Sequence, residues 1–423
     1  MAKSRDDLVA WVRDAGTALA WPFDGLACDP EAFAGLDGQL AAADLVFLGE
    51  MDHFIHEKAD FRLAACRWLL SRGWTSFAEE LAWSDGRRVN AFLAGGDEAA
   101  FDRVSLFGWR GDLRDDRDDR PTGLLRASFD AYPVDIMAAE QRRFYLGLAA
   151  AANGASVTLH GFDIDGLPGG GYADVLARLE PWNDRPRVKT LVQGLARVAG
   201  EAAAEEGARV VALRPLVRAL AADTGEAVSA AVAHDLAALA ESLDYVARTY
   251  GAQSYEALRP GMAFREGCMK RRFADLRAET GGARSVLMAH AMHLAKDDGL
   301  LAGTAGAIGP GGGLEPSIGS HLVQERGLKA LSIWLVWGAG EDSQSFPDLP
   351  RRFAYPKETL NARLGVLETP MLFPIAGAPK GLFDRPIGIG HMYNLVQPTI
   401  LAGQVDAILW LPSVSPMRPG REP

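Results

Sequence analysis

Two side chains suited to acid and base chemistry, Glu50 and His53, stand three residues apart. They follow an apolar run at residues 45–49, which has the pattern of a buried strand that leads through a loop into a helix. Carboxyl ends of strands in α/β sheets are the usual place for a site, because several loops converge there. A carboxylate beside an imidazole raises its pKa and fixes its tautomer, which suits a general base. We interpret His53 as a candidate base, and a structural hydrogen-bonding histidine is the alternative.

A second pair of ionisable residues, His290 and His293, follows the apolar run at residues 285–289. Two histidines three residues apart can lie on the same side of a helical turn or of a tight loop. Such a pair can polarise an oxygen or bind a metal. The sequence thus places paired ionisable groups at the ends of two predicted strands.

Two carboxylates, Glu79 and Glu80, end a third run that begins at Thr75. Adjacent side chains of a strand point to opposite faces, so we expect one carboxylate in the site and the other solvated or paired. Arg62, on the predicted helix after His53, can neutralise Glu50 or hold a developing oxyanion. An exposed arginine is the alternative.

The elements that must position these residues alternate between strand and helix patterns. The segment at residues 57–72 places Phe61, Ala65 and Trp68 on one face, as expected of a helix packed on a sheet. The alternation predicts an α/β fold with a central, largely parallel sheet and flanking helices. Six apolar runs are predicted strands: residues 45–49, 76–78, 156–160, 285–289, 328–337 and 405–411.

The middle of the chain differs, because it is rich in Ala, Leu, Glu and Arg and lacks a convincing strand. Apolar residues from Val228 to Val246 recur at helical spacing, which indicates an inserted helical subdomain that covers the site; a purely structural bundle is the alternative. We predict an N-terminal helical lead-in at 1–40, the α/β core at 41–172 and 283–412, the helical insert at 173–282 and a C-terminal tail at 413–423.

Composition narrows the class of protein. The chain has 423 residues, 48% of them hydrophobic, which is enough for a large core. A net charge of -11 disfavours nucleic acid and anionic membranes as partners, and neither a signal peptide nor a long apolar run is visible. The three cysteines are odd in number and widely separated, so we expect a reducing cytoplasm. The expected partner is a small molecule, and the oligomeric state stays open.

Several motifs in order along the chain resemble the erythromycin esterase family. The opening motif is Gly49-Glu50-x-x-His53 with Glu57 and Arg62 after it, and residues 73–80 continue it to Glu80. The motifs in this order cover about residues 40–340, and together they indicate the family more specifically than any one motif alone. The later motifs are residues 160–163 ending in Asp163, then Arg265 and Met269, the His290-x-x-His293 motif, and residues 318–322.

The resemblance implies hydrolysis of an ester, in the best-known members the lactone of a macrolide antibiotic, with no obligatory metal or other cofactor. It implies that His53 activates water and that Glu50 orients His53. It also implies that Arg62, Glu80, His290 and His293 bind the carbonyl and stabilise the oxyanion. No Gly-x-Ser-x-Gly elbow is present, so a serine nucleophile is not expected.

Two departures from the family pattern affect the substrate. Phe54 stands where the family usually has glycine, which reshapes the mouth of the pocket, and Ala291 stands where asparagine is common. We expect substrate contacts from Phe54, and by resemblance from Glu57, Asp163 and Arg265.

His391 and Tyr393, near a glycine-rich turn, are interpreted from chemistry alone. They can line the pocket, and an ordinary hydrogen-bonded loop is the alternative.

Other functions stay open at this point. A metallohydrolase would use His53, His290, His293 and a carboxylate as ligands. A biosynthetic enzyme would use the same pocket for acyl transfer or lactone closure. A ligand-binding relative would keep the scaffold without turnover.

Overall fold

The apolar runs of the sequence form strands in the computed structural model, as predicted. The structure describes residues 5–96, 98–102, 104, 134–165, 179–182, 184–186, 188–190, 192–193, 215, 218, 230–249, 252–301, 316–344 and 350–418. The strands are β1 (Thr17–Ala18), β2 (Leu45–Glu50), β3 (Ser76–Ala82), β4 (Thr158–Asp163), β5 (Ser285–His290), β6 (Ala330–Gly340), β7 (Met371–Pro374), β8 (Ile387–Gly390), β9 (Val396–Thr399) and β10 (Ala407–Val414). The predicted runs correspond to β2, β3, β4, β5, β6 and β10.

Helices occupy much of the chain between the strands. The predicted helix at 57–72 is confirmed, and helix is also found where apolar residues recur after Val228. The helices are α1 (Arg5–Ala15), α2 (Asp37–Ala41), α3 (Glu57–Ser71), α4 (Trp83–Gly95), α5 (Ala99–Asp102), α6 (Val134–Ala152), α7 (Ala230–Thr249), α8 (Tyr255–Glu279), α9 (Ile318–Ser320), α10 (Leu360–Leu364) and α11 (Leu401–Gln404). In the described part of the chain, no helix has both the length and the hydropathy that a bilayer span requires.

Eight strands form one sheet in the order β1-β7-β10-β6-β2-β5-β3-β4. The neighbours from β10 to β3 are parallel, whereas β7 runs antiparallel to β10 and to β1. Strands β8 and β9 form a separate antiparallel pair. The predicted α/β class with a largely parallel sheet is therefore confirmed.

The central strands β2 and β5 are buried along their whole length, which explains why they are continuous apolar runs rather than alternating ones. Close packing explains why glycine occupies position 49 in β2. A Cβ added there would lie 2.8 Å from Cδ1 of Trp334 and 3.1 Å from Cα of Ala291. Only glycine lets β6 and the chain after β5 approach β2 this closely.

The chain divides into two compact units. The first comprises Met1–Glu80, Asp135–Thr158 and Leu276–Pro423, and the second comprises Leu81–Val134 and Leu159–Asp275. In the second unit, helix α8 lies against α7 through the ion pair of Arg272 with Glu241. Much of the predicted insert at 173–282 lies outside the described residues, and its boundaries stay a prediction.

Candidate active site

The register of β2 against β5 brings two of the predicted motifs side by side. Glu50, the last residue of β2, is paired with His290, the last residue of β5. The backbone N–H of Ala291 extends this pairing by donating to the carbonyl of Glu50 at 2.7 Å. Because the two strands are parallel, the segments that carry His53 and His293 both leave the same edge of the sheet.

His53 forms a dyad with Glu50. Nδ1 of His53 lies 3.4 Å from Oε1 of Glu50, and the histidine side chain is 30% exposed whereas the glutamate is fully buried. Nζ of Lys58 donates to the backbone carbonyl of His53 at 2.9 Å and so fixes the turn that precedes α3. The imidazole therefore lies beside a buried carboxylate and is itself partly exposed.

Glu50 is kept ionised by a buried arginine. Nη2 of Arg62 donates to Oε1 of Glu50 at 2.8 Å, and Nη1 of the same guanidinium donates to Glu79. Burial alone raises the pKa of Glu50, but the positive charge of Arg62 and the hydrogen bond with His53 lower the pKa to about 2. Tyr145 completes the cluster, because its hydroxyl donates to Oε2 of Glu79 at 2.9 Å.

The two alternatives for Arg62 are a neutralising partner and an oxyanion donor. Its side chain is 5% exposed, and both terminal nitrogens are bonded to buried carboxylates. Burial disfavours its charged form, but Glu50 and Glu79 raise the pKa of Arg62 and keep it protonated. This geometry favours charge neutralisation.

His290 presents an unshared hydrogen-bond donor. Its Nδ1 accepts from the backbone N–H of Met292 at 3.3 Å, so the ring proton of the neutral imidazole lies on Nε2. Nε2 is buried and has no hydrogen-bond partner among the described residues. Burial, with the charges of His53 and His391, holds the pKa of His290 well below its usual range. The ring is thus a neutral N–H donor at neutral pH.

Glu80 binds both members of the second histidine motif. Its Oε2 accepts the backbone N–H of His290 at 2.9 Å, and its Oε1 lies 3.3 Å from Nε2 of His293. The backbone of His293 is fixed in turn, because it donates to the carbonyl of His290 and accepts from Gly319. A second dyad of a carboxylate and an imidazole therefore lies beside His290.

Three histidine rings lie around the ring of His290. We call the four residues the histidine cluster: His53, His290, His293 and His391. The ring centroid of His290 lies 5.2 Å from that of His53, 6.5 Å from that of His293 and 6.1 Å from that of His391. The structure thus brings Glu50, Glu80 and all three predicted catalytic histidines together, with His391 as a fourth.

Three further residues of the first unit that we predicted as substrate contacts have the following surroundings. Phe54 is 1% exposed, with its ring edge-on to His53 and a centroid separation of 6.2 Å. Both carboxylate oxygens of Glu57 accept from Ser415, through the backbone N–H at 2.8 Å and the hydroxyl at 2.7 Å. Tyr393 lies in the turn after His391 with a φ of 61°.

Asp163 and Arg265, the remaining predicted contacts, belong to the second unit and form an ion pair there. Nε of Arg265 donates to both carboxylate oxygens of Asp163, at 3.0 and 2.9 Å. Asp163 also accepts the backbone N–H of Ile164 at 2.7 Å. This pair joins β4 to α8 within that unit.

Some residues that organise the site escaped sequence reasoning. The side chains of Asp52 and Asp342 are fully buried, and the charge of Asp342 acts on Asp52. Asp52 belongs to the sequence motif around His53, but the motif assigned no role to it. Asp342 follows the long apolar run of β6, and this position after a predicted strand could have identified it as a candidate. Tyr145 and Lys58 carried no signal of their own, because tyrosines and lysines are common on helices.

Metal binding was one of the alternatives for the histidine motifs. Within the described ranges, no three His, Cys, Asp or Glu side chains are grouped so as to hold a metal ion. The three cysteines, all of them described, are free thiols.

Comparisons with known proteins show the fold. No family model matches the chain, and no curated protein matches its sequence. A protein from Bacillus cereus has a TM-score of 0.71 at 14% identity over 98% of this chain and 99% of the other. A succinoglycan biosynthesis protein has a TM-score of 0.70 at 14% identity over 98% of both chains.

A mutant of the erythromycin esterase EreC in its open conformation has a TM-score of 0.63 at 16% identity, over 96% of this chain and 100% of the other. The chain therefore has an erythromycin-esterase-like α/β fold. At these identities the likeness extends to the fold alone.

Proposed function

We propose that this protein is a hydrolase that cleaves an ester or lactone with water activated by His53. The observation that carries the proposal is the dyad of His53 with Glu50, in which the imidazole is 30% exposed and its carboxylate is fully buried. A buried carboxylate on Nδ1 holds the proton there, so that Nε2 is the free base. The erythromycin-esterase-like fold is the supporting observation.

The proposed reaction uses the rings of His53 and His290, whose centroids are 5.2 Å apart. Nε2 of His53 removes a proton from water while the water oxygen attacks the ester carbonyl carbon. The carbonyl oxygen becomes an oxyanion, and Nε2–H of His290, a buried donor without a partner among the described residues, stabilises it. The protonated His53 then returns its proton to the leaving alkoxide oxygen. The products are a carboxylic acid and an alcohol.

The remaining groups support these two rings. Glu50 stabilises the positive charge that develops on His53, and Arg62 keeps Glu50 ionised. Glu80 fixes the backbone of His290 and lies beside His293, which we place near the leaving group. The substrate class that we propose is a bulky natural product such as a macrolide lactone, by likeness to the fold of EreC.

The test is hydrolysis of a panel of esters and lactones, including erythromycin, by the wild type and by His53→Ala. We expect the variant to lose turnover by about 10²- to 10⁴-fold, the usual share of a general base. Unchanged thermal unfolding would show that the variant is folded. His321→Ala is the matched control, because His321 is a partly exposed histidine that pairs with Glu325. Full activity of His53→Ala would overturn the proposal.

The alternative functions can be distinguished with the same purified protein. Activity that disappears in chelator and returns with added metal would identify a metallohydrolase. Ester products formed with an added alcohol, at the expense of free acid, would identify acyl transfer, which the likeness to a succinoglycan biosynthesis protein makes worth measuring. Tight binding without any product would identify a binding protein.

A further inference from the structure

His391 lies beside the ring that we assign to the oxyanion, although it comes from a different part of the chain. It follows β8 directly, and its ring centroid is 6.1 Å from that of His290. The side chain is partly exposed, but its Nδ1 is buried and has no hydrogen-bond partner among the described residues. A buried polar atom without a partner is costly unless a ligand satisfies it.

The turn that carries His391 has a backbone that few sequences adopt. Tyr393 and Asn394 have φ angles of 61° and 56°, in the left-handed region that favours glycine. Consecutive residues of this kind persist only where the surroundings fix them, and they concentrate at functional sites. The surroundings do so here, since Asn394 accepts from the N–H of Ala354 at 2.9 Å and donates to the carbonyl of Arg352 at 3.1 Å.

Further hydrogen bonds fix the backbone of His391 itself. The hydroxyl of Tyr355 donates to the carbonyl of His391 at 3.3 Å, and the side chain of Asn361 accepts from the N–H of Gly390 at 2.6 Å. The N–H of Met392 donates to the carbonyl of Met51 at 3.0 Å, which ties the turn to the segment that carries His53. The position of His391 is therefore coupled to the position of the proposed base.

The charges around His391 indicate an uncharged ligand. Burial lowers the pKa of His391 to about 4, so the ring is neutral at physiological pH. The carboxylates of Glu50 and Glu80 lie beside His53 and His293 of the histidine cluster, while Arg62 is occupied by Glu50 and Glu79. Carboxylates disfavour an anionic substrate. Nδ1 of a neutral imidazole is either a donor or an acceptor, depending on the tautomer, and a hydroxyl group can pair with it in both cases because it donates and accepts.

We propose that His391 is a specificity-determining residue that hydrogen-bonds an uncharged hydroxyl group next to the scissile bond, so that the site selects hydroxylated esters. The proposal rests on ester hydrolysis as the function of the same site. It deepens that function by giving the substrate class: esters whose alcohol part carries a neighbouring free hydroxyl.

The test compares two esters that differ by this hydroxyl alone, the monobutyrate of cyclohexane-1,2-diol and cyclohexyl butyrate. We expect the wild type to prefer the hydroxylated ester in kcat/KM by about tenfold, the scale of one neutral hydrogen bond. His391→Phe should reduce the preference to about one. His391→Asn, which keeps a donor and an acceptor, should retain part of it.

His321→Phe is the control, because it replaces a partly exposed histidine that pairs with Glu325. It should leave the preference unchanged. A preference that survives in both His391 variants, or its absence in the wild type, would overturn the proposal. His391→Asn also covers the case in which the phenylalanine variant fails to fold.

A binding measurement tests the role of His391 independently of whether the protein hydrolyses esters. The matched amides N-(2-hydroxycyclohexyl)butanamide and N-cyclohexylbutanamide resist hydrolysis, and their dissociation constants can be measured by NMR titration. If no ester is turned over but the hydroxylated amide binds more tightly to the wild type than to His391→Asn, hydrolysis fails and the role of His391 stands. Equal binding of both amides to both proteins would overturn the role of His391.

Discussion

The carboxyl groups of Asp52 and Asp342 are both fully buried and interact electrostatically, and Oδ2 of each has no hydrogen-bond partner among the described residues. Each also accepts a backbone N–H from its own loop, Asp52 from Phe54 at 2.6 Å and Asp342 from Gln344 at 3.2 Å. Burial and the neighbouring Asp342 raise the pKa of Asp52, and burial raises the pKa of Asp342 to about 7. The pair therefore holds a proton next to His53 at pH values where an exposed aspartate is ionised.

Asp342→Asn should reduce the pH dependence of stability. Between a pKa of about 4 in the unfolded chain and the raised values in the fold, the folded state keeps protons that the unfolded state has lost. The free energy of unfolding of the wild type therefore falls as the pH rises through this window. In the variant we expect the slope to be shallower, by up to about 1.4 kcal/mol per pH unit. Urea unfolding at pH 5, 6, 7 and 8 measures it.

The control is Glu368→Gln, which neutralises an exposed carboxylate. Its slope should match that of the wild type. The interpretation of the pair is wrong if Asp342→Asn has the wild-type slope as well. Other charges facing the pair, Lys58 towards Asp52 and Arg351 and Glu341 towards Asp342, are unchanged in both variants.

Arg62→Met should be strongly destabilising, because it leaves Glu50 and Glu79 buried without their shared cation. Breaking a buried ion pair on one side costs about 3–5 kcal/mol. Chemical denaturation measures the loss, and Glu79→Gln in the same chain should recover part of it by removing one uncompensated charge. Arg72→Met is the matched control at the end of the same helix. Its partners Glu31 and Asp37 are exposed, so its loss should be far smaller.

Gly49→Ala should destabilise the sheet by about 1–3 kcal/mol, the usual cost of forcing an atom into a packed core. The added Cβ would lie 2.8 Å from Cδ1 of Trp334, inside contact distance. Differential scanning calorimetry measures the shift of Tm. Gly38→Ala is the control, since a Cβ there meets no atom within 4 Å. An unchanged Tm for Gly49→Ala would contradict the packing argument.

Glu80→Gln and His293→Asn should lower kcat on a turned-over ester to a similar extent, because Oε1 of Glu80 lies 3.3 Å from Nε2 of His293. Residues that act as a unit are not additive, so the double variant should lose little more than the worse single one. The kcat values of the wild type, the two single variants and the double variant complete this double-mutant cycle. His321→Asn with Glu325→Gln gives the control cycle at a pair outside the histidine cluster. Additive losses for Glu80 and His293 would show that the two act independently.

Local pattern was sufficient to predict most of the sheet. The strands β2 and β5 are continuous apolar runs because both faces are covered, and this property is written in consecutive residues. Four shorter strands, β1, β7, β8 and β9, were not predicted. They have two to four residues each, which is too short for a periodic pattern to be visible.

The candidate site, too, was predicted from the sequence only in part. Placing ionisable residues at the ends of predicted strands identified Glu50, His53, His290 and His293, because parallel strands bring their carboxyl ends to one edge. The pattern could not assign a partner to each residue. Arg62 had two possible roles in the sequence, and only its bonds to Glu50 and Glu79 favour one of them.

The sequence by itself determined which residues can do chemistry and which strands carry them, because residue type and hydrophobic pattern are local properties. The tertiary structure decided which of these residues meet. The register that pairs Glu50 with His290 and the turn that brings His391 to His290 from about 100 residues further along join distant segments of the chain. The electrostatic interaction of Asp52 with Asp342 does so as well. Such contacts depend on strand order and packing, which no short stretch of sequence encodes.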